Sequence, residues 1–327
     1  MKPMITYSNY MLAKKEMNVN EFAELLDDGA MKNIAGLFGS DSISKNQLVR
    51  LLTGVSDISN VVYDNISEEP SLFSDLVQKY IDDCKIDRQD IGYIIYTRAT
   101  QIPRSRTNIP YFIQNKFGFD KAEVFSIDQK CSSSLVAVNI ASLILHKHKK
   151  GKILILSSNF FPTPESRVMG LYTGSDAVGI IEITYSNQGF EFIDYKSVTD
   201  GTIVHHIDLA KKAELVVRVG SAVMKQTLKD NNLTFDDIRT IIAHNTNLSG
   251  WNSYFNILNI NSEKLYKKNF GGVGHLGDVD FVRNLTDIYW DAEFENSFIM
   301  AYALGRGTSF NVLLLHLRKN CLCCSGD

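Results

Sequence analysis

Short apolar segments alternate with helical patterns along most of this 327-residue chain. The alternation becomes clear near residue 70 and is repeated in the second half. Buried strands that alternate with helices are typical of α/β proteins whose sheets are covered on both faces. The predicted strands are 91–97, 122–128, 152–158, 177–184, 238–246, 297–304 and 310–317. Similar halves, 1–185 and 186–327, would suit a pseudo-duplicated, layered architecture.

The predicted helices lie between these strands and follow apolar spacing. The helical pattern in NVNEFAELLDD has Asn18 or Asn20 as a possible N-cap, because asparagine favours that position. The segment 132–150 is apolar nearly all round, which predicts a buried helix. The other predicted helices are 71–84, 107–118 and 215–232.

Charge and hydropathy exclude several classes of function. The net charge is −3 and no concentrated basic stripe occurs, so we expect no nucleic-acid partner. The sequence has no run of about 18 apolar residues, which predicts that nothing spans a membrane. The first residues contain no long apolar run typical of a signal peptide, so we expect a cytoplasmic location.

The five cysteines do not form a disulfide or zinc pattern. Their odd number and irregular spacing argue against a secreted disulfide framework. No CxxC pair accompanies a pair of histidines, so we expect no structural metal site. Cys321, Cys323 and Cys324 crowd the end of the chain, and we assign them no function.

Cys131 lies where a tight polar turn follows a predicted strand and the buried helix begins. A helix N-terminus offers unpaired N–H groups and the positive end of the dipole. Both favour a thiolate, which is the nucleophilic form of cysteine. The small residues Ser132, Ser133 and Ser134 allow a sharp turn and leave room for a ligand. From this segment alone, a nucleophile and a buried structural cysteine remain equally open.

Two histidines lie at positions where a chain of this type places functional groups. His244 follows a predicted strand at the point where the sequence turns polar, and ligands gather at the carboxyl ends of strands. It could act as a base or a hydrogen-bond donor, or simply cap a loop. His275 lies in FGGVGHLGDVDF, whose glycines allow close backbone approach. Asp278 or Asp280 could orient its imidazole, and an incidental histidine in a glycine-rich turn is the alternative.

Taken together, these segments resemble the ketoacyl-ACP synthase III branch of the thiolase superfamily. That branch has a cysteine at the start of a buried helix, a later strand ending in HQAN, and a GN pair about thirty residues further on. Here Cys131 starts the helix, HNTN contains His244, and Gly274–His275 follows 31 residues after it. GSDAVGIIEI and LGRGTSFNVLLLHL resemble the family's glycine-containing strand and its last loop and strand. The resemblance covers roughly residues 70 to 318.

The resemblance implies a thiolase-like, five-layered α-β-α-β-α fold made of two pseudo-duplicated halves, in a subunit that dimerises. It also shows where this chain departs from the family. His275 occupies the position of the asparagine that decarboxylating members use with the histidine. The family's early tryptophan and arginine for coenzyme A have no clear counterpart, and the basic residue expected after HQAN is Ser249 or Gly250. An acyl group on a carrier protein is therefore the more plausible donor.

Members with a GH…D pattern transfer an acyl group to an alcohol or amine, typically in natural-product assembly, and GHLGDVD looks like that variant. By this resemblance Cys131 forms an acyl-enzyme with an acyl-carrier-protein phosphopantetheine thioester, or an acyl-CoA, and no cofactor is bound. His275 activates a small-molecule acceptor, and His244 polarises the thioester or supports the thiolate. The remaining assignments are an oxyanion hole of the Cys131 and Gly307 N–H groups and substrate contacts by Asn247, Gly274 and Ser309.

Two other functions remain open at this level. One is a decarboxylating carbon–carbon condensing 3-oxoacyl-ACP synthase that uses His244 and His275 together. The other is a non-catalytic partner subunit of a heterodimer that keeps the fold. The presence of Cys131, His244 and the glycine-rich loop disfavours the second alternative, because a subunit without activity has no chemical need for them.

Overall fold

The structure, a computed structural model, describes residues 1–100, 107–148, 151–205, 209–305 and 308–319. In these residues, one large sheet and one small sheet are covered by nine α-helices. Among them, no helix has the length and apolar character needed to cross a bilayer. The strands are β1 (Lys2–Leu12), β2 (Lys15–Asn18), β3 (Ile58–Tyr63), β4 (Ile91–Arg98), β5 (Glu123–Ile127), β6 (Lys152–Asn159), β7 (Ala177–Ser186), β8 (Gly189–Thr199), β9 (Ile238–Ile242), β10 (Gly272–Val273), β11 (Phe298–Gly305) and β12 (Ser309–Arg318).

The helices agree with the predicted pattern wherever a prediction was made. Asn18 caps the first one: its side chain accepts hydrogen bonds from the backbone of Asn20 and Glu21, in a capping box. The helices are α1 (Val19–Glu24), α2 (Asp28–Leu37), α3 (Lys45–Ser56), α4 (Glu69–Cys84), α5 (Ile109–Phe117), α6 (Ser133–His148), α7 (Leu209–Asp230), α8 (Leu248–Ile257) and α9 (Val279–Trp290).

The large sheet repeats one strand order in its two halves. The order is β5-β4-β6-β7-β1-β8-β12-β11-β9. From the centre outward, the first half has the order β1, β7, β6 and β4, and the second half has the order β8, β12, β11 and β9. In both halves the first three strands are successively antiparallel, and the fourth is parallel to the third. The halves meet where Met4 and Ile5 pair with Glu191 and Phe190. This repetition is that of a pseudo-duplicated α/β fold.

The alternation of side chains along the strands creates five layers. Along β11, Ile299 and Ala301 pack with α6 and α9 in a central core, whereas Met300 and Tyr302 pack with α7 and α8 in an outer core. The strands of the first half likewise face α6 and α9 on one side, and α4 and α5 on the other. Since both faces of β4, β6 and β7 are buried, these strands are largely apolar. The five-layered α-β-α-β-α prediction is confirmed.

The segment 15–63 forms a small unit beside the main fold. Its helices enclose a separate core that includes Phe22, Leu48 and Leu52, and Val168 of the main fold also packs there. Its strand β3 pairs with β10, which directly precedes the His275 loop. The unit therefore helps to fix the position of that loop. Of this unit, only the first helix was predicted from the sequence, and β1 and β8 were not predicted either.

Candidate active site

Cys131 lies in a tight turn between β5 and α6. It occupies the middle of a single 3-10 turn, Lys130–Ser132, and α6 begins two residues later. The Ser133 hydroxyl closes this turn because it accepts from the Gln129 N–H at 2.7 Å and donates to the Lys130 carbonyl at 2.7 Å. Cys131 is partly buried and lines a cavity of about 650 Å³. The thiol is thus held at the start of a helix and open to a ligand, as the sequence predicts.

His275 is fixed between two residues of the loop before β7. Its N–H donates to the Thr173 carbonyl at 2.8 Å, and its carbonyl accepts from the Ser175 N–H at 2.9 Å. The ring nitrogen Nδ1 lies 2.5 Å from Oδ2 of Asp280, in the first turn of α9. The imidazole also lies close enough to the Cys131 side chain for that group to raise its pKa. Because Nδ1 faces the carboxylate, Nε2 is the nitrogen available to the sulfur.

His275 and Asp280 each stabilise the charged form of the other. Burial disfavours the imidazolium, but the charge of the Asp280 carboxylate, the hydrogen bond to it and the interaction with Cys131 raise the pKa of His275 to about 10. Burial likewise opposes the carboxylate, but the charge of His275 and the hydrogen bond it donates lower the pKa of Asp280. The N–H groups of Asn245 and Leu276 also donate to Asp280, at 2.8 and 3.1 Å. At neutral pH this is an imidazolium–carboxylate pair.

Asp278, the other carboxylate that the sequence offered as a partner for His275, points elsewhere. Its Oδ2 accepts a hydrogen bond from the Thr97 hydroxyl at 2.5 Å, and its main-chain carbonyl accepts from Ser134 at 3.1 Å. Its Oδ1 has no partner among the described residues. Burial raises the pKa of this carboxyl to about 7. Asp280, rather than Asp278, is the residue that contacts His275.

His244 lies next to His275 in the cavity wall, with the ring centroids 5.2 Å apart and nearly perpendicular. Its Nε2 accepts a hydrogen bond from the Leu304 N–H at 3.2 Å. Burial, together with the charge of His275, lowers the pKa of His244 to about 3. The ring is therefore neutral and carries its proton on Nδ1, so it can donate but does not readily accept a proton.

The cavity wall is formed by both halves of the chain. Trp251 and Tyr172 are its large aromatic members, and the Tyr172 ring meets the edge of His275 at a centroid distance of 5.6 Å. Phe161 and Met169 also line it, whereas Phe160 packs in the outer core of the first half. The complete lining is Ala99, Thr100, Lys130, Cys131, Phe161, Pro162, Ser166, Met169, Tyr172, His244, Thr246, Trp251, His275 and Leu304.

The remaining predicted site residues lie close by but make structural contacts. The Asn247 side chain caps α8 by accepting from the Gly250 N–H at 2.9 Å, and its neighbour Thr246 lines the cavity instead. A Cβ at Gly274 would lie 2.5 Å from the Thr173 carbonyl, so glycine is needed for close packing. Ser309 is buried and accepts from the Gln129 amide at 2.7 Å. Gly307 lies outside the described residues.

One group of side chains among the described residues could also hold a metal ion. Its members are His244, His275 and Asp280, and each offers one ligand atom within 4.8 Å of the others. Two of the candidate atoms already have partners. His275 Nδ1 bonds to Asp280, and His244 Nε2 accepts from a backbone N–H. A metal at either nitrogen would have to break one of these hydrogen bonds.

Several residues of the site were not predicted from the sequence. Asn245 binds both Asp280 and Asn284, and Asn284 accepts from the buried Asn269 amide at 2.9 Å. Lys130 lines the cavity immediately before Cys131. Asn245 and Lys130 each adjoin a predicted residue in sequence, which is the one signal that could have indicated them.

Comparison with known proteins agrees with this fold. No protein-family model matches the sequence. The β-ketoacyl-[acyl-carrier-protein] synthase III of Wolbachia pipientis subsp. Culex pipiens (strain wPip) is 23% identical over 270 residues, covering 76% of this chain and 78% of that protein. The crystal structure of 3-oxoacyl-[acyl-carrier-protein] synthase III from Aquifex aeolicus VF5 superposes with a TM-score of 0.75 at 17% identity, covering 96% of this chain and 99% of the other.

The chain has the fold of the ketoacyl-ACP synthase III branch. The resemblance predicted from its sequence is thereby confirmed. ChlB3, described as an acyltransferase, shares this thiolase-like fold with a TM-score of 0.78 at 15% identity, covering 98% of each chain. OleA of Xanthomonas campestris shares it with a TM-score of 0.75 at 12% identity, covering 97% of this chain and 98% of the other. Proteins with this fold therefore include both synthases and an acyltransferase.

Proposed function

We propose that this protein is a cytoplasmic acyltransferase that moves an acyl group from a carrier-protein thioester, through a Cys131 acyl-enzyme, to the hydroxyl or amine of a small molecule. The observation that carries the proposal is that Cys131 and His275 lie in the wall of one cavity, with Asp280 hydrogen-bonded to His275. A nucleophile, a base and an orienting carboxylate in this order are the elements of covalent acyl transfer.

In the first step the Cys131 thiolate attacks the carbonyl carbon of the thioester. A carbon–sulfur bond forms, and the bond to the phosphopantetheine sulfur breaks. The His275 imidazolium protonates that leaving sulfur and becomes neutral. The N–H groups of Cys131 and Gly307 would stabilise the oxyanion, and each such donor contributes on the order of 2.7–4 kcal/mol to lowering the barrier. Nδ1–H of His244 is a further donor for a substrate oxygen.

In the second step the acceptor reacts with the acyl-enzyme. Neutral His275 removes the proton from the acceptor hydroxyl or amine, which attacks the acyl carbon and expels the Cys131 thiolate. The thiolate and the imidazolium are thereby restored together, so one proton returns to His275 in each cycle. Asp280 stabilises the imidazolium in both steps through Nδ1. The carboxylate does not need to take up the proton itself.

The chemistry of His275 also favours transfer over condensation. A decarboxylating synthase must stabilise a carbanion equivalent, for which neutral donors suffice, whereas an alcohol or amine must lose a proton to a base. His275, paired with Asp280, can accept that proton. The synthase relatives nevertheless make carbon–carbon condensation the second candidate.

Intact-mass spectrometry tests the acylation step. The protein is incubated with an acyl-carrier protein, and an adduct of the acyl mass is expected on the wild type but not on Cys131→Ala. Cys84→Ala is the matched control because Cys84 is a partly buried cysteine of α4 outside the cavity lining. An adduct that persists in Cys131→Ala would refute the nucleophile. Malonyl-carrier protein is then offered to the acyl-enzyme: release of carbon dioxide with a ketoacyl product would favour the synthase instead.

The same proposal includes a homodimer. Strand β5 is an edge of the large sheet and pairs on one side with β4. A half-exposed edge strand is a template for pairing with a second copy, and a two-fold dimer closes such an edge. Light scattering during size-exclusion chromatography would give the mass of the dimer, near twice 36.8 kDa. A monomeric mass at micromolar concentration would contradict it.

A further inference from the structure

Lys130 is a charged residue in the wall of the cavity, adjacent in sequence to the proposed nucleophile. Its side chain is only 10% exposed. Its backbone has a φ of +54°, in the left-handed region that residues other than glycine rarely adopt. The turn therefore places a largely buried lysine directly beside Cys131, at a position where the backbone conformation favours glycine.

The ammonium of Lys130 has one anionic partner among the described residues. It lies 2.7 Å from Asp128, whose side chain is 62% exposed. An ammonium has three N–H donors, and no other hydrogen bond of this group is found in the described part of the chain. A buried cation is unfavourable unless anionic or polar groups surround it. Lys130 can therefore accept a second anion from the cavity while it keeps Asp128.

The position of Lys130 indicates which substrate carries that anion. The first half of the chain contributes Lys130 and Cys131 to the cavity lining, together with Ala99, Thr100 and Phe161, whereas His244 and His275 come from the second half. The proposed base His275 and the donor His244 must face the acceptor. The first-half lining, which includes Lys130, is then left for the acyl group on Cys131. The phosphate of a carrier arm lies at the far end of a long chain from the thioester, so a group next to Cys131 does not meet it.

We infer that Lys130 selects acyl groups that carry a second carboxylate, so that the donors of this enzyme are thioesters of dicarboxylic acids. The inference rests on the proposed acyl-enzyme at Cys131. Asp128 alone would repel a substrate carboxylate at this position. The ammonium of Lys130 offsets that charge and offers further N–H donors to the substrate.

The test compares two thioesters of equal length in the same protein. Succinyl-N-acetylcysteamine carries a terminal carboxylate, and its methyl ester is neutral; neither contains a phosphate. The rate of acyl-enzyme formation is measured for each by intact mass. We expect the wild type to react at least about 10-fold faster with the charged thioester, the size of one charge-assisted hydrogen bond. In Lys130→Met the ratio should fall to 1 or below, while Lys130→Arg should restore part of the preference.

The ratio of the two rates is independent of how much of each variant is folded. Lys79→Met, which removes a lysine that pairs with Asp83 on α4, is the matched control and should keep the wild-type ratio. A wild-type ratio of 1 or below, or a preference that survives in Lys130→Met, would overturn the inference. An equal loss of both rates in Lys130→Met would also overturn it, because Lys130 would then act on the thiolate. If no thioester acylates Cys131 in the wild type, the proposed function itself fails.

Discussion

The replacement Asp280→Asn isolates the role of the carboxylate beside His275. It keeps the shape of the side chain but leaves one acceptor oxygen in place of two, and the N–H groups of Asn245 and Leu276 donate to different oxygens, Oδ2 and Oδ1. Either orientation of the amide removes the charge beside His275. With the NH₂ group at the Oδ2 position, Nδ1 of His275 must become an acceptor. The imidazole proton therefore moves to Nε2. In this tautomer Nε2 carries a proton and cannot remove one from the acceptor.

The size of the effect follows from the geometry. The Nδ1–Oδ2 distance of 2.5 Å places the two charges about 4 Å apart, which corresponds to about 4 kcal/mol at an effective dielectric constant of 20. That energy is equivalent to roughly three pH units in the pKa of an imidazole, the same order as the rise of the His275 pKa to about 10. We expect acyl transfer to fall by about 10²- to 10⁴-fold, the usual contribution of a positioned base.

The assay follows single-turnover transfer from a carrier-protein thioester to an amine acceptor such as hydroxylamine. Asp278→Asn is the matched control: this carboxyl lies two residues away, is equally buried and binds Thr97 rather than His275. We expect it to retain most of the activity, and circular dichroism checks that both variants fold. Equal losses in the two variants, or near-wild-type transfer by Asp280→Asn, would refute the assignment of Asp280.

Three further predictions concern the surroundings of this pair. Burial raises the pKa of Asp278 to about 7, above its value of 3.8 in the unfolded chain. Between these two pH values the folded state holds a proton that the unfolded state has lost. The free energy of unfolding should therefore fall by up to about 1.4 kcal/mol per pH unit as pH rises from 4 to 7. Urea titrations should show a shallower fall over this range in Asp278→Asn. His244→Phe removes a donor for the substrate oxygen and should slow acyl-enzyme formation by about 10²-fold, with unchanged iodoacetamide alkylation of the thiol. In Gly305→Ala, the new Cβ would lie 2.5 Å from the Gln129 carbonyl and 2.6 Å from the Ser132 hydroxyl, and thermal unfolding should show a loss of about 1–3 kcal/mol.

The sequence alone was sufficient to predict the strands that are buried on both faces. The strands β4, β6 and β7 are continuous apolar runs, and such runs are hard to place anywhere but in the interior. Strand β1 has the mixed sequence KPMITYSNYML, and its burial depends on pairing with β7, more than 160 residues away. No local pattern contains that information, so the central strand of the first half could not be predicted.

The same limit applies to the choice between the two aspartates near His275. Both follow the histidine within five residues, and sequence spacing alone favours neither. The choice depends on where α9 begins. Asp278 precedes its first residue and turns toward Thr97, whereas Asp280 lies in the first turn and faces Asn245 on another element. The contacts that decide the matter come from residues 35 and 181 positions away in sequence.

The protonation states of the two histidines are consistent with the proposed acyl transfer in this cavity. Both rings are buried and close together, yet the pKa of His275 is raised to about 10 and that of His244 is lowered to about 3. Two protonated imidazoles 5.2 Å apart would repel, so one carboxylate next to one ring determines which of them bears the charge. An asparagine at position 275 would leave His244 as the only titratable ring, without a carboxylate partner. Under the proposed function, the exchange of a neutral amide for a carboxylate-bound imidazole would change the acceptor that Cys131 can serve, from a carbon nucleophile that needs only hydrogen-bond donors to an alcohol or amine that must lose a proton.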